Sequence, residues 1–242
     1  MIKFEASSPY PLCDYVYSES EAKAHAALVD AWLGLQTASI EVRLAQQGCR
    51  LRAPHASGEK QELWFGLEVQ QLLTPYVEIR SLLSKLEPQR GSTIVDLGAA
   101  YGRMGFVIGR EYPGVNFVGY EYVGERVSEA RRVLAKLRYD GISIEHADLA
   151  SAEFEPVAAD VYFLYDYGTP KAIEKTLHDL RRLSKSRPIT LVARGRHCRY
   201  LIETRHPWLQ KKDPTIGEAR TTIYVVASEK SVTAELPNTM IP

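Results

Sequence analysis

From about residue 88 onward the chain alternates short runs of branched and aromatic apolar residues with longer stretches of helical spacing. "STIVDL" (92–97) is the first apolar run, and "GRMGFVIGREY" (102–112) is the helix pattern behind it. "VNFVGYE" (115–121), "ISIEHAD" (142–148), "ADVYFLYD" (159–166) and "PITLVARG" (188–195) read as further strands. Helix patterns cover 124–139 and 169–185, the second with Thr169 as N-cap and Pro170 at the first helical position. Such alternation means βαβ units, hence a parallel sheet with helices on both faces. After a short helix near 196–205, residues 208–228 read as two strands joined by a Pro- and Gly-containing loop, a terminal hairpin that puts an antiparallel strand into the sheet. The expected fold is α/β: a doubly wound, seven-stranded, mostly parallel sheet with a C-terminal antiparallel hairpin.

Before residue 88 the pattern is helical. One stretch spans 18–48 and closes on Gly48, a linker covers 52–60, and a second helical stretch spans 62–88 with a break at Thr74-Pro75. The expected organisation is a helical appendage over 1–87, packed over one end of the sheet, an α/β domain over 88–228, and a loosely held tail over 229–242. The 242 residues, 45% hydrophobic and 25% charged, suffice for one such domain with an appendage. Thirty basic and thirty acidic side chains cancel, which gives no global pull toward nucleic acid or an anionic membrane. No apolar run is long enough to span a bilayer. Cys13, Cys49 and Cys198 are far apart in sequence and form no CxxC pair, which argues for a reducing cytoplasm and against a disulfide framework or structural zinc.

The chemistry is expected at "TIVDLGAAYGRMG" (93–105), an apolar strand running into an acid and a glycine-containing loop. Glycines let a backbone approach a ligand closely, and the following helix start is electropositive. A P-loop needs Gly-Lys-Ser/Thr, whereas Gly102 is followed by Arg103 and Met104. The dinucleotide fingerprint GxGxxG is absent, because Gly98, Gly102 and Gly105 are spaced GxxxGxxG. "YGTPK" (167–171) has the Tyr-x-x-x-Lys spacing of short-chain dehydrogenases, but Gly168 and Pro170 place Tyr167 outside the helix that such a pair requires. Asp96 sets the loop apart from all of these. A carboxylate there repels a pyrophosphate and suits a ligand carrying an amine or sulfonium.

With Asp-x-Gly-x-x-x-Gly at 96–102, an acid at the end of the second strand and another at the end of the third, the chain from about 74 to 228 resembles class I S-adenosylmethionine-dependent methyltransferases. The middle glycine of that family's GxGxG is Ala100 here. The resemblance implies S-adenosylmethionine as cofactor. It implies that Asp96 holds the amine of the methionine end, and that Gly98, Ala99, Ala100, Tyr101 and Gly102 form the loop bringing the backbone to it. It further implies that Glu121, with Tyr122 beside it, takes the ribose hydroxyls, and that Asp148, with Leu149, meets the adenine. Thr74, in "LTPYVEIRSLL", matches a turn of the non-SET protein-lysine methyltransferases that helps hold the cofactor carboxylate; a helix cap is its plainer role.

The acceptor is expected beyond the fourth strand, where "FLYDYGTP" brings Tyr165, Asp166, Tyr167 and Gly168 to the methyl group. Only an acid and an aromatic are shared with the Asn/Asp-Pro-Pro-Tyr/Phe motif of enzymes that methylate bases and amides. The expected acceptor is therefore an amine, on a protein lysine or a small molecule, with nucleic acid not expected. Asp166 is the candidate catalytic acceptor of a proton or hydrogen bond, and Tyr167 and Tyr101 are candidate walls; the alternative has Asp166 capping the next helix. "ARGRHCR" (193–199) is basic and speaks against a metal there; it serves either an acidic substrate or a solvated helix start. The enzyme reading competes with a non-catalytic module that binds the cofactor to support a partner, and, further off, with a nicotinamide-dependent reductase.

Overall fold

The computed structural model describes residues 1–51, 68–213 and 221–226. Its centre is one seven-stranded sheet in the order β3-β2-β1-β4-β5-β7-β6. The strands are β1 (Thr93–Leu97), β2 (Asn116–Glu121), β3 (Ile142–His146), β4 (Val161–Tyr165), β5 (Thr190–Arg194), β6 (Leu209–Asp213) and β7 (Thr221–Val226). The pairs β3/β2, β2/β1, β1/β4 and β4/β5 are parallel, whereas β7 runs antiparallel to both β5 and β6. The expected α/β sheet and its terminal hairpin are thus observed. Strand order reverses between β1 and β4, so a crevice opens beyond their carboxyl ends.

Alternation along the strands builds two cores. Ile94, Phe117, Ile144, Phe163 and Val192 face one side, under the helices α1 (Glu19–Leu33), α2 (Thr37–Leu51), α4 (Tyr76–Leu86), α5 (Arg103–Glu111) and α6 (Gly124–Leu137). Val95, Leu97, Tyr162, Leu164 and Leu191 face the other, under α7 (Pro170–Ser184) and α8 (Arg196–Arg205). The single turn α3 (Val69–Leu72) precedes α4. At α7, Thr169 Oγ1 accepts the Ala172 N–H at 3.2 Å and Pro170 opens the helix, as the sequence predicts.

The amino-terminal helices depart from expectation. Residues 18–48 form two helices rather than one. Gly34 adopts φ 70° and caps α1, and α2 continues past Gly48 to Leu51. A glycine in the left-handed region ends a helix because its backbone turn leaves no Cβ in collision, whatever periodicity follows. Both helices lie on the face of the sheet that carries α4–α6, where Ala26, Val29, Leu33, Ile40 and Leu44 join its core, rather than over an end. The linker at 52–60 and the tail at 229–242 lie outside the described residues.

Candidate active site

A cavity of about 710 Å³ opens at the carboxyl ends of β1, β2 and β4, bordered by residues that follow these strands and β3. Of the residues singled out from sequence, Thr74, Asp96, Gly98, Ala99, Ala100, Glu121, Tyr122, Asp148, Leu149, Asp166 and Tyr167 all border it. Apart from Thr74, which lies between α3 and α4, these sequentially distant residues meet there because they end or follow the parallel strands β1 to β4.

Asp96 is 9% exposed, and no hydrogen bond or ion pair reaches its carboxylate among the described residues. Burial, reinforced by the neighbouring Glu121 carboxylate, pushes its pKa up to about 7. Glu121 is buried too, but it is supported: Oε1 accepts the N–H of Val123 at 2.8 Å and Oε2 that of Ala100 at 2.9 Å. Burial raises its pKa, and the Arg126 guanidinium and those two amides oppose the rise.

The loop after β1 is pinned to β2 rather than open to an anion. Gly98 N–H and Ala99 N–H both donate to the Tyr120 carbonyl, at 3.0 and 2.8 Å, and Gly102 N–H donates to Ala99 O at 2.8 Å. Together with the Ala100 amide on Glu121, these donors are spent inside the fold. Gly98 has φ 96°, and a Cβ there would come within 2.7 Å of Tyr167 Cβ; only glycine lets the β1 and β4 loops approach so closely. Ala100 adopts φ 46°, the left-handed conformation for which the glycine of GxGxG is suited.

Two loop residues do not take the places expected for them. Tyr101 is fully buried and turned away from the cavity, its hydroxyl donating to Glu41 Oε1 of α2 at 2.8 Å, so it is no wall of the site. Gly102 begins α5 with φ 75° and does not border the cavity; a Cβ there would meet Ile144 Cδ1 at 2.9 Å. Both serve packing, because the chain has already turned into α5.

On the acceptor side Asp166 and Tyr167 do border the cavity, with their polar atoms engaged in the fold. Asp166 Oδ1 accepts the Cys198 N–H at 2.8 Å and Oδ2 that of His197 at 3.1 Å, so this carboxylate caps α8. The capping alternative placed it at the next helix, α7, where Thr169 does that work. Tyr167 borders the cavity with its ring, but its hydroxyl donates to Ala172 O at 2.9 Å and lies 2.6 Å from Thr176 Oγ1 on α7. Asp148 Oδ1 accepts the Ala150 N–H at 2.9 Å, a loop turn at the cavity edge. Thr74 is not a helix cap, a place taken by Pro75; its hydroxyl donates to Tyr165 Oη at 2.9 Å. Burial pushes Tyr165 up to about 12, with the Arg194 guanidinium, 5.2 Å from its ring centroid, opposing the rise.

Sequence reasoning passed over two arginines that border the cavity. Arg103 is buried, ion-paired with Asp30 of α1 and bonded to Thr74 O at 3.1 Å and Gln70 Oε1 at 3.0 Å. Arg126 is buried against Glu41 of α2. The signal was an acid within each apolar helix face, Asp30 beside Val29 and Glu41 beside Ile40. Among the described residues no three His, Cys, Asp or Glu side chains are grouped to hold a metal ion, and no helix is long and apolar enough to cross a membrane.

No known family profile matches the sequence, and no curated protein matches it. Solved structures resemble parts of the chain at low identity. TrmN from Thermus thermophilus is 13% identical with a TM-score of 0.48, over 64% of this chain and 49% of that one, so the chain spans about half its length. An RNA methyltransferase from Salinibacter ruber, in complex with S-adenosyl-L-homocysteine, is 20% identical with a TM-score of 0.48, over 70% of this chain and 99% of that one. A TehB-like SAM-dependent methyltransferase from Corynebacterium glutamicum is 13% identical with a TM-score of 0.48, over 79% and 99% of the two chains.

Proposed function

We propose that this chain is an S-adenosylmethionine-dependent methyltransferase. The observation that carries this reading is Asp96, a buried carboxylate without a partner among the described residues, at the border of a cavity on the switch point of a parallel sheet. An acid there is stabilised by a cationic ligand group, and the amine and sulfonium of S-adenosylmethionine supply one. The pinned amides of Gly98, Ala99 and Ala100 speak against a pyrophosphate cradle, hence against a nicotinamide-dependent reductase.

Within this reading Asp96 holds the ammonium of the methionine end. Glu121 keeps an acceptor position on each oxygen for the ribose hydroxyls, and Tyr122, Asp148 and Leu149 border the adenine end. Gly98, Ala99 and Ala100 form the floor, and Thr74 stands at the rim. When bound, the cofactor supplies a methyl group already activated by its sulfonium charge, so the protein's task is to align a neutral nucleophile. The ring of Tyr167 and the faces of Tyr165 and Asp166 border the acceptor side, and aromatic faces beside a carboxylate suit an amine, on a protein lysine or a small molecule. The scattered cysteines support a cytoplasmic setting.

Isothermal titration with S-adenosylhomocysteine tests the premise. One-to-one binding that is lost in Asp96→Ala is expected; absence of binding, or binding of NAD(P) instead, overturns it. The engagement of Asp166 with α8 and of the Tyr167 hydroxyl with α7 favours a second reading, a module that binds the cofactor without transferring its methyl group. Radiolabelled methyl transfer to lysate separated into protein, RNA and small-molecule pools distinguishes the two and names the acceptor class; label in no pool favours the module.

A further inference from the structure

Glu41 lies on α2, in the helical region ahead of the α/β sheet, yet its carboxylate reaches the cavity through one arginine. It holds Arg126 of α6 at two points, Nε to Oε1 at 2.8 Å and Nη2 to Oε2 at 3.1 Å, and the Tyr101 hydroxyl steadies Oε1 at 2.8 Å. With two sides of the guanidinium fixed, its third nitrogen, Nη1, stands 3.8 Å from Glu121 Oε1. That separation compensates charge without forming a hydrogen bond. Glu121 accepts one backbone N–H on each oxygen, from Val123 and Ala100, so each oxygen keeps an acceptor position.

We propose that Glu41 is a positioning residue of the ligand site: by holding Arg126 away from Glu121, it keeps that carboxylate charge-balanced yet open to a vicinal diol, the ribose of an adenosyl ligand. The proposal rests on the cofactor reading above. It also gives α2 a part in ligand recognition that its distance in sequence from the β1 loop conceals. In Glu41→Gln the shape is kept and the charge is lost. The guanidinium then closes on the nearest remaining carboxylate, Glu121, and takes the positions that the hydroxyls need.

The experiment compares S-adenosylhomocysteine with its 2′,3′-dideoxy analogue on the full chain by isothermal titration. For Glu41→Gln, the affinity for S-adenosylhomocysteine falls about tenfold, the scale of one charge-assisted hydrogen bond, while that for the dideoxy analogue stays at the wild-type value. Equal loss for both ligands means a general collapse of the site and overturns the proposal, as does no loss for either. Tyr101→Phe removes one contact to Glu41 and leaves the ion pair. It shows the same selective loss at about threefold and decides the matter if Glu41→Gln does not give a cooperative melt. A wild-type chain that binds no S-adenosylhomocysteine overturns the proposed function itself, and this inference with it. Wild-type binding with no ribose-selective effect in either variant overturns this inference alone.

Discussion

A carboxylate that is mostly buried and has no donor among the described residues has given up much of its hydration without a hydrogen bond in exchange, and Asp96, at the border of the cavity, is held in that state. Its pKa near 7 makes the consequence measurable. Between the ordinary aspartate range and about pH 7 the folded chain keeps a proton that the unfolded chain releases, so this group's contribution to stability falls as pH rises through that window and levels off above it. Asp96→Asn is therefore more stable than wild type above pH 7, by roughly 1–3 kcal/mol, and loses that advantage below about pH 4; urea midpoints across pH test this. A cationic ligand favours the ionised form. Affinity for S-adenosylhomocysteine then rises by up to about tenfold per pH unit until pH 7, with proton release that calorimetry in buffers of different ionisation enthalpy detects. At Gly98, φ 96° and the approach of Tyr167 Cβ leave no room for a methyl group, so Gly98→Ala costs roughly 2–4 kcal/mol in chemical denaturation.

At the scale of elements, a strand is placed by alternation and a helix by its caps, and both are local. That is why β1 to β5 and the start of α7 were legible, down to Thr169 and Pro170. The docking of α1 and α2 was not, because the partner of a buried acid lies far along the chain. Asp30 meets Arg103, 73 residues on, and Glu41 meets Arg126, 85 residues on. Asp30 also accepts the Tyr76 hydroxyl at 2.8 Å, so it ties α1 to α4 and α5 together. Asp30→Ala leaves the Arg103 guanidinium buried without its counter-charge and costs about 3–5 kcal/mol by thermal or urea unfolding. Replacing both partners, as Asp30→Leu with Arg103→Met, costs less than the sum of the single changes, because no charge is then stranded.

For the whole molecule, the amino-terminal helices and the sheet share one core. Ala26, Val29, Leu33, Ile40 and Leu44 pack in the same cluster as Ile94 and Phe106, and two arginines at the cavity take their counter-charges from α1 and α2. A fragment beginning at residue 68 exposes that apolar face and takes from Arg103 and Arg126 their partners on α1 and α2. We expect it to lack the cooperative thermal transition of the full chain and to be cleaved rapidly under limited proteolysis that leaves the full chain intact.

The sequence alone determined the order of strands and helices from β1 onward, the antiparallel end of the sheet, and the acids at the strand ends that gather around one cavity. Each follows from periods of two or 3.6 residues and from the rule that parallel strands end on the same side. Only the tertiary structure decided which polar atoms are free. A carboxylate after a strand caps a helix when a helix start lies within reach, as at Asp166, and another has no donor among the described residues, as at Asp96. Hydrogen bonds are settled over about 3 Å of space, and spacing along the chain carries no record of that distance.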